Sequence, residues 1–305
     1  MSARARLARE LAFVLAVVAA IAALAFGAQR LFFSRPVPAP DIPRSLDAGL
    51  KPLMLKQIRA ESRLVETPVV TGAVVAIMDR LAPAYAAIPL EGADVPREPP
   101  REPPREPPRE SRPAIEVLVV DSPVINAFTV PGGVVCIYTG LMKTLSSPEE
   151  LAAILAHEMS HAAFRDPLTQ LARNVGMATL ASVLTGGQGE TLAQGLLADL
   201  VSLRYGRAAE DRADEFAVAL LAKAGIDPAS YGSALSRIKG SNPKDMKLLR
   251  YLDPHSPIDE RIRSAGERAT AAAARAAAEG LKAKRIAVDW RKLLKALPSV
   301  LEPTD

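Results

Sequence analysis

The sequence predicts an α+β protein, mostly α, with one small β-sheet, and three observations lead to that class. Alanine lifts the hydrophobic share to 49% while aromatic residues supply only 4%, a balance that favours helix. Several stretches space their apolar residues at helical intervals. Two short runs, Ile115 to Val120 and Val134 to Tyr138, have the β-branched density of strands. With 305 residues, the chain has room for one sizeable domain plus appendages, or for two small domains.

Residues 1–35 read as a membrane anchor or signal segment. Leu11 to Ala28 carries no charge and follows Arg4, Arg6 and Arg9. As a helix this run would be about 27 Å long, close to the hydrocarbon thickness of a bilayer. Ala23-Leu24-Ala25 offers a cleavable alternative, although signal cores usually run only about 7–15 residues. Either way the basic end stays in the cytoplasm and the rest is exported. The expected address is therefore membrane-anchored and facing the periplasm or another extracytoplasmic side, or soluble in the periplasm after cleavage.

Residues 36–90 begin with a proline-rich spacer and continue as the helical amino-terminal part of the catalytic unit. Leu50, Leu53, Met54, Ile58 and Leu64 fall at helical spacing, and a second apolar segment covers Val69 to Tyr85. Residues 91–113 form a proline-rich insert in which Arg-Glu-Pro-Pro occurs three times, from Arg97 to Pro108. Two prolines in every four residues exclude helix and sheet, so an extended, solvated segment is expected.

Residues 114–297 hold the core. After the strand at 115–120, Pro131-Gly132-Gly133 turns the chain into its expected partner strand, Val134 to Tyr138. The single cysteine, Cys136, lies in that second run and reads as a buried strand residue; it excludes an internal disulfide and cysteine-based metal sites. Ser147-Pro148-Glu149-Glu150 starts a helix through about Phe164, with a serine cap, proline in the first turn and acidic residues beside it. Apolar helices follow over Leu168 to Leu184 and Thr191 to Leu203, separated by Gly186-Gly187-Gln188-Gly189. An alanine-rich helix spans Asp259 to Lys284, a short amphipathic one spans Asp289 to Leu297, and residues 298–305 form a tail. The net charge of +4 includes the basic amino terminus and gives no footing for nucleic acid.

The chain has three histidines, and two of them stand in His157-Glu158-Met159-Ser160-His161. On a helix, residues four apart share a face, so both imidazoles can reach one ion. Glu158 emerges beside that ion, where it can act on a bound water. At this composition such a pentapeptide is expected by chance on the order of 0.002 times. A catalytic zinc needs three protein ligands and an open position. Phe164 and Pro167 rule out a glycine and a histidine three and six residues beyond His161. The candidates left are His255, within Asp253-Pro254-His255-Ser256-Pro257, and Glu210. Glu210 and Asp214 lie one turn apart on one helix face, so the first can ligate while the second accepts a proton from a ligand's far ring nitrogen. Glu215 and Asp211 point elsewhere.

These blocks resemble a known family. His157-Glu158-x-x-His161, followed by Tyr205-x-Arg207-x-x-Glu210-x-x-Ala213-Asp214, is similar to the gluzincin family of the CAAX-prenyl endopeptidases and HtpX-type proteases. Asn126-Ala127-Phe128 with Pro131-Gly132-Gly133, Thr139-Gly140-Leu141 and His255-Ser256-Pro257 with Arg261 match its other blocks, covering roughly Ile115 to Ile262. One amino-terminal apolar run places the chain near the exported single-domain branch, similar to the BepA, LoiP and Oma-type peptidases. The resemblance implies a zincin-like fold and one zinc ion per chain on His157, His161 and Glu210. It implies Glu158 as the general base and protein or peptide substrates in envelope protein quality control. His255 or Arg207 is implied as the oxyanion stabiliser, and Asn126, Ala127 and Phe128 as a strand that receives substrate. A chaperone or assembly factor using the same groove for binding is the alternative. Many relatives carry an Arg-His pair shortly after the motif; this chain has Arg165-Asp166, a departure expected to touch only a peripheral contact.

Overall fold

The computed structural model describes residues 42–90, 112–185, 189–201, 205–241 and 258–298. The apolar run at 11–28, the Arg-Glu-Pro-Pro repeats, the glycines at 186–187, His255 and the tail from residue 299 lie outside the described residues. The chain divides into two units, Met1–Asp41 and Ile42–Asp305, and the described residues all belong to the second.

Helix α1, Arg44–Glu61, carries Leu50, Met54 and Ile58 on its buried face. Helix α2, Pro68–Ala87, is apolar enough and long enough to cross a bilayer by length and composition. Its Val70, Val74, Ile77 and Leu81 are nevertheless buried in the core. Beyond the insert, Arg112 donates to the carbonyl oxygens of Tyr85 and Ile88 and lies over the Tyr85 ring. The chain leaving the insert is thus clamped to the end of the helix that precedes it.

Strands β1 (Glu116–Val120), β2 (Ala127–Val130) and β3 (Val134–Tyr138) form one sheet in the order β1-β3-β2. β1 pairs with β3 in parallel, and β2 pairs with β3 antiparallel. The Pro131–Gly133 turn therefore closes a β2–β3 hairpin, while the two runs expected as partners, β1 and β3, do pair, in parallel. Gly132 sits at φ 84°, and a Cβ there would fall 2.5 Å from Lys51 Cβ, so glycine answers both the turn and the crowding. Successive β3 side chains face opposite cores. Val135 and Ile137 pack with α2 and the helices around the motif, whereas Val134 and Cys136 pack with α1. A strand covered on both faces reads as an unbroken apolar run, which is why Val134 to Ile137 shows no alternation. Burial also pushes the Cys136 thiol pKa far up, leaving it an inert core residue.

Helix α3, Thr139–Thr144, follows β3 directly. A Cβ on Gly140 would sit 2.2 Å from the Pro123 carbonyl oxygen, so only glycine lets this turn approach the loop that feeds β2. Helix α4, Pro148–Ala163, carries the histidine motif and begins as the sequence predicts: Ser147 Oγ accepts from the Glu150 backbone N–H at 3.2 Å. The apolar stretch expected as one helix over 168–184 is two, α5 (Asp166–Val175) and α6 (Met177–Thr185). They are broken at Gly176, which adopts φ 84° and ends the first of them. Helices α7 (Gly189–Val201), α8 (Arg207–Lys223), α9 (Ala229–Gly240), α10 (Ile258–Ala278) and α11 (Trp290–Ala296) complete the described elements. Helix α10 stops short of the expected Lys284; the chain turns at Gly280 with φ 75°.

Candidate metal centre

Helix α4 packs against α2, α8, α9 and the sheet, and every residue from Leu151 to Ala162 is buried. Its spacing carries His157 and His161 onto one face, with their Nε2 atoms 3.2 Å apart. Helix α8 brings Glu210 to the same point. Its Oε2 lies 3.6 Å from His157 Nε2 and its Oε1 lies 3.9 Å from His161 Nε2. His157, His161 and Glu210 are all buried and form the one such group of ligand-type side chains among the described residues. Asp211 and Glu215 on the same helix are exposed.

The donor set suits a cation. His157 Nδ1 lies 3.1 Å from Asp214 Oδ1, and His161 Nδ1 lies 2.9 Å from Asp166 Oδ2. An ionised carboxylate only accepts, so a neutral ring beside it holds its proton on Nδ1 and presents a lone pair on Nε2. In that tautomer two lone pairs and a carboxylate face one point. Tetrahedral ligands at zinc–nitrogen distances of about 2.0–2.1 Å sit about 3.3 Å apart, close to the separation of the two Nε2 atoms.

The motifs extend to a family match. The model of peptidase family M48 matches residues 107–269, more than half the chain. The chain belongs to peptidase family M48. Among curated proteins it is 30% identical over 158 residues to the mitochondrial metalloendopeptidase OMA1 of Arabidopsis thaliana, covering 48% of this chain and 33% of that protein. It is 29% identical over 153 residues to the metalloprotease LoiP of Escherichia coli, covering 48% of this chain and 60% of LoiP. It is 31% identical over 159 residues to a putative beta-barrel assembly-enhancing protease of Vibrio cholerae, covering 48% and 32%. The match therefore spans from about a third to three fifths of the length of these M48 relatives. Family membership accords with the helical chain and small sheet of a zincin-like fold.

Around the M48 motif, the fold adds groups that sequence spacing does not reveal. Tyr231, on α9 and fully buried, has its hydroxyl 2.5 Å from Asp214 Oδ1 and 2.9 Å from His157 Nδ1. Arg261, on α10, donates to Asp214 Oδ2 at 3.0 Å, to Asp214 Oδ1 at 2.7 Å and to the Tyr231 hydroxyl at 2.8 Å. Its Nη1 is 3.5 Å from Glu210 Oε2. Burial alone would raise the Asp214 carboxyl pKa, but the hydrogen bond from His157 and the charge of Arg261 outweigh it and hold the group far below the usual carboxylate range. Burial likewise opposes a charge on Arg261, and Tyr231, Asp214 and Glu210 overcome it, so the guanidinium stays charged. Arg261 is legible as part of the late block of the resemblance; Tyr231 has no local signal.

The departure at Arg165-Asp166 is not peripheral. Asp166 touches a proposed ligand, because the chain reverses sharply after α4 and carries residue 166 back under His161. Tyr205 stacks on the His161 ring with centroids 4.1 Å apart. Arg207 is exposed at the first position of α8, while Asn126 and Ala127 are buried and Phe128 is half-buried. Of these, β2 reaches the motif through Thr129. Its Oγ1 is 2.8 Å from Glu158 Oε2 and 3.0 Å from the Glu158 carbonyl oxygen.

Proposed function

We propose that this chain is a zinc endopeptidase of envelope protein quality control, holding one zinc ion per chain. The observation that carries the reading is the convergence of His157 Nε2, His161 Nε2 and the Glu210 carboxylate beside Glu158. Held by those three side chains, zinc would supply Lewis acidity, polarising the scissile carbonyl and bringing the pKa of its water to about 7.

The chain's own residues do the rest. Glu158 accepts the proton of the attacking water on its carboxylate and delivers it to the departing amine nitrogen. The Thr129 hydroxyl fixes where that carboxylate points. Asp214 and Tyr231 keep the His157 proton on Nδ1. Arg207, one helical turn before Glu210, or His255 is the group assigned to the developing oxyanion. Strand β2 pairs only with β3 among the described strands, so Asn126, Ala127 and Phe128 can receive an extended peptide as an added strand.

The apolar run at 11–28, preceded by arginines, supports a membrane-attached, extracytoplasmic enzyme, and the Vibrio relative's name supports an envelope role. A binding-only function would have no use for Glu158. The test is cleavage of an unfolded protein by wild type and Glu158→Gln, with zinc quantified in both. The variant should keep its zinc and lose turnover by about 10²–10⁴-fold; undiminished hydrolysis would remove Glu158 as the base.

A further inference from the structure

We infer that Asp166, braced by Arg212, is a positioning residue for the metal centre, setting the tautomer and orientation of His161 as Asp214 does for His157. The inference rests on the zinc-binding reading above and concerns a residue at which the chain departs from the family resemblance.

The local backbone explains how Asp166 arrives there. Helix α4 ends at Ala163, and Arg165 takes a left-handed conformation at φ 56° and ψ 31°, the one positive-φ non-glycine residue among those described. Nothing in an arginine favours that region, so its surroundings must hold it there. They do so through the side chain. Its Nε donates to Asp47 Oδ2, and its Nη1 and Nη2 donate to the carbonyl oxygens of Ile42 and Pro43 at 2.7 and 3.1 Å. The reversal makes Asp166 the first residue of α5, with Pro167 next and the carboxylate directed back at α4.

Both carboxylate oxygens are then engaged. Oδ2 accepts from His161 Nδ1 at 2.9 Å, and Oδ1 accepts from Arg212 Nη2 at 2.6 Å. With one oxygen on each partner, the group cannot turn away from the histidine without breaking the arginine contact. Arg212 is itself stacked on the Phe164 ring, 4.2 Å from its centroid. Helix α8 thus serves the site three times: Glu210 as a ligand, Asp214 on His157, and Arg212 through Asp166 on His161. Tyr205 fixes the tilt of the His161 ring by stacking, and Asp166 fixes its rotation. An anionic acceptor on Nδ1–H keeps the Nε2 lone pair free and makes it a better donor to a cation.

The experiment measures zinc affinity of the full chain by competition with a chromophoric chelator, with circular dichroism of the metal-free protein as the fold control. Asp166→Ala should weaken zinc binding by about 10–100-fold. Asp166→Asn, which keeps an acceptor oxygen without the charge, should fall between alanine and wild type. Arg212→Gln should weaken binding less than Asp166→Ala. Wild-type affinity in folded Asp166→Ala and Asp166→Asn overturns the inference. If Asp166→Ala does not fold, Asp166→Asn and Arg212→Gln decide it, and unchanged affinity in both overturns it. A wild-type chain that binds no zinc would instead overturn the metal reading on which the inference rests.

Discussion

The hydroxyl of Thr129 lies 2.8 Å from Glu158 Oε2 and 3.0 Å from the carbonyl oxygen of the same residue. One side chain on the edge strand therefore faces both the side chain and the backbone of the proposed base. The strand that would receive substrate and the group that would move the proton are held in one register by a single buried contact.

Replacing Thr129 by valine keeps the shape and removes the hydroxyl. A hydrogen bond to a charged group is worth about 1.5–3 kcal/mol, so a loss felt mainly in the transition state lowers kcat by about tenfold or more. KM and zinc content should stay near wild type, and Thr129→Ser should recover most of the rate. Steady-state kinetics on an unfolded-protein substrate would show this; equal kcat for Val and wild type would mean that Glu158 is positioned without Thr129.

Arg261 is the buried counter-charge to Asp214 and stands close to Glu210. Arg261→Met should destabilise the metal-free protein by about 3–5 kcal/mol, since it strands a buried charge network without its cation. Arg261→Lys should recover little, because an ammonium cannot span both Asp214 oxygens and the Tyr231 hydroxyl as the guanidinium fork does. Urea unfolding of the two variants against wild type checks this. Stability close to wild type in Arg261→Met would show that Tyr231 and His157 suffice to hold Asp214.

Acid should destabilise the fold partly through Glu150. Burial alone would raise its pKa, but hydrogen bonds from Ser233 Oγ, the Ser146 backbone N–H and Arg237 Nε outweigh that and lower it. A carboxylate with a folded-state pKa below its unfolded value stabilises the fold at pH above the unfolded value of about 4.3. That contribution disappears as pH falls through the folded-state pKa. Unfolding midpoints measured from pH 7 down to pH 3 should therefore drop less steeply for Glu150→Gln than for wild type, from a lower starting point. Parallel curves would assign the acid sensitivity elsewhere.

What could be read from the chain was local. His157 and His161 share a face because they are four residues apart, and Glu210 and Asp214 for the same reason. Ser147 was legible as a cap from its own side chain and the Pro-Glu-Glu after it. The two strongest strands were visible as β-branched runs, and they pair with each other as expected, but the parallel direction of that pairing was not legible. Val134 to Tyr138 has both β1 and β2 as neighbours, and this central place in the order β1-β3-β2 goes with the burial of both its faces. The break at Gly176 was hidden because one glycine in an apolar stretch does not announce its φ.

By itself, the sequence determined the metal-ligand motif, the third acidic ligand candidate, the capped helix that carries the motif and the apolar runs that must be buried. Each of these depends on residues within a few positions of one another, where helix and strand periodicity leave little freedom. Beyond Asp214, only the tertiary structure decided what braces the ligands. Tyr231 from α9, Arg261 from α10 and Arg212 from α8 meet the site across separations of 30 to 74 residues. Asp166 is near His161 in sequence, yet it reaches the ring only because Asp47 and the carbonyls of Ile42 and Pro43 hold Arg165 in a left-handed turn. Such contacts follow from how helices pack and where the chain reverses, which no local pattern encodes.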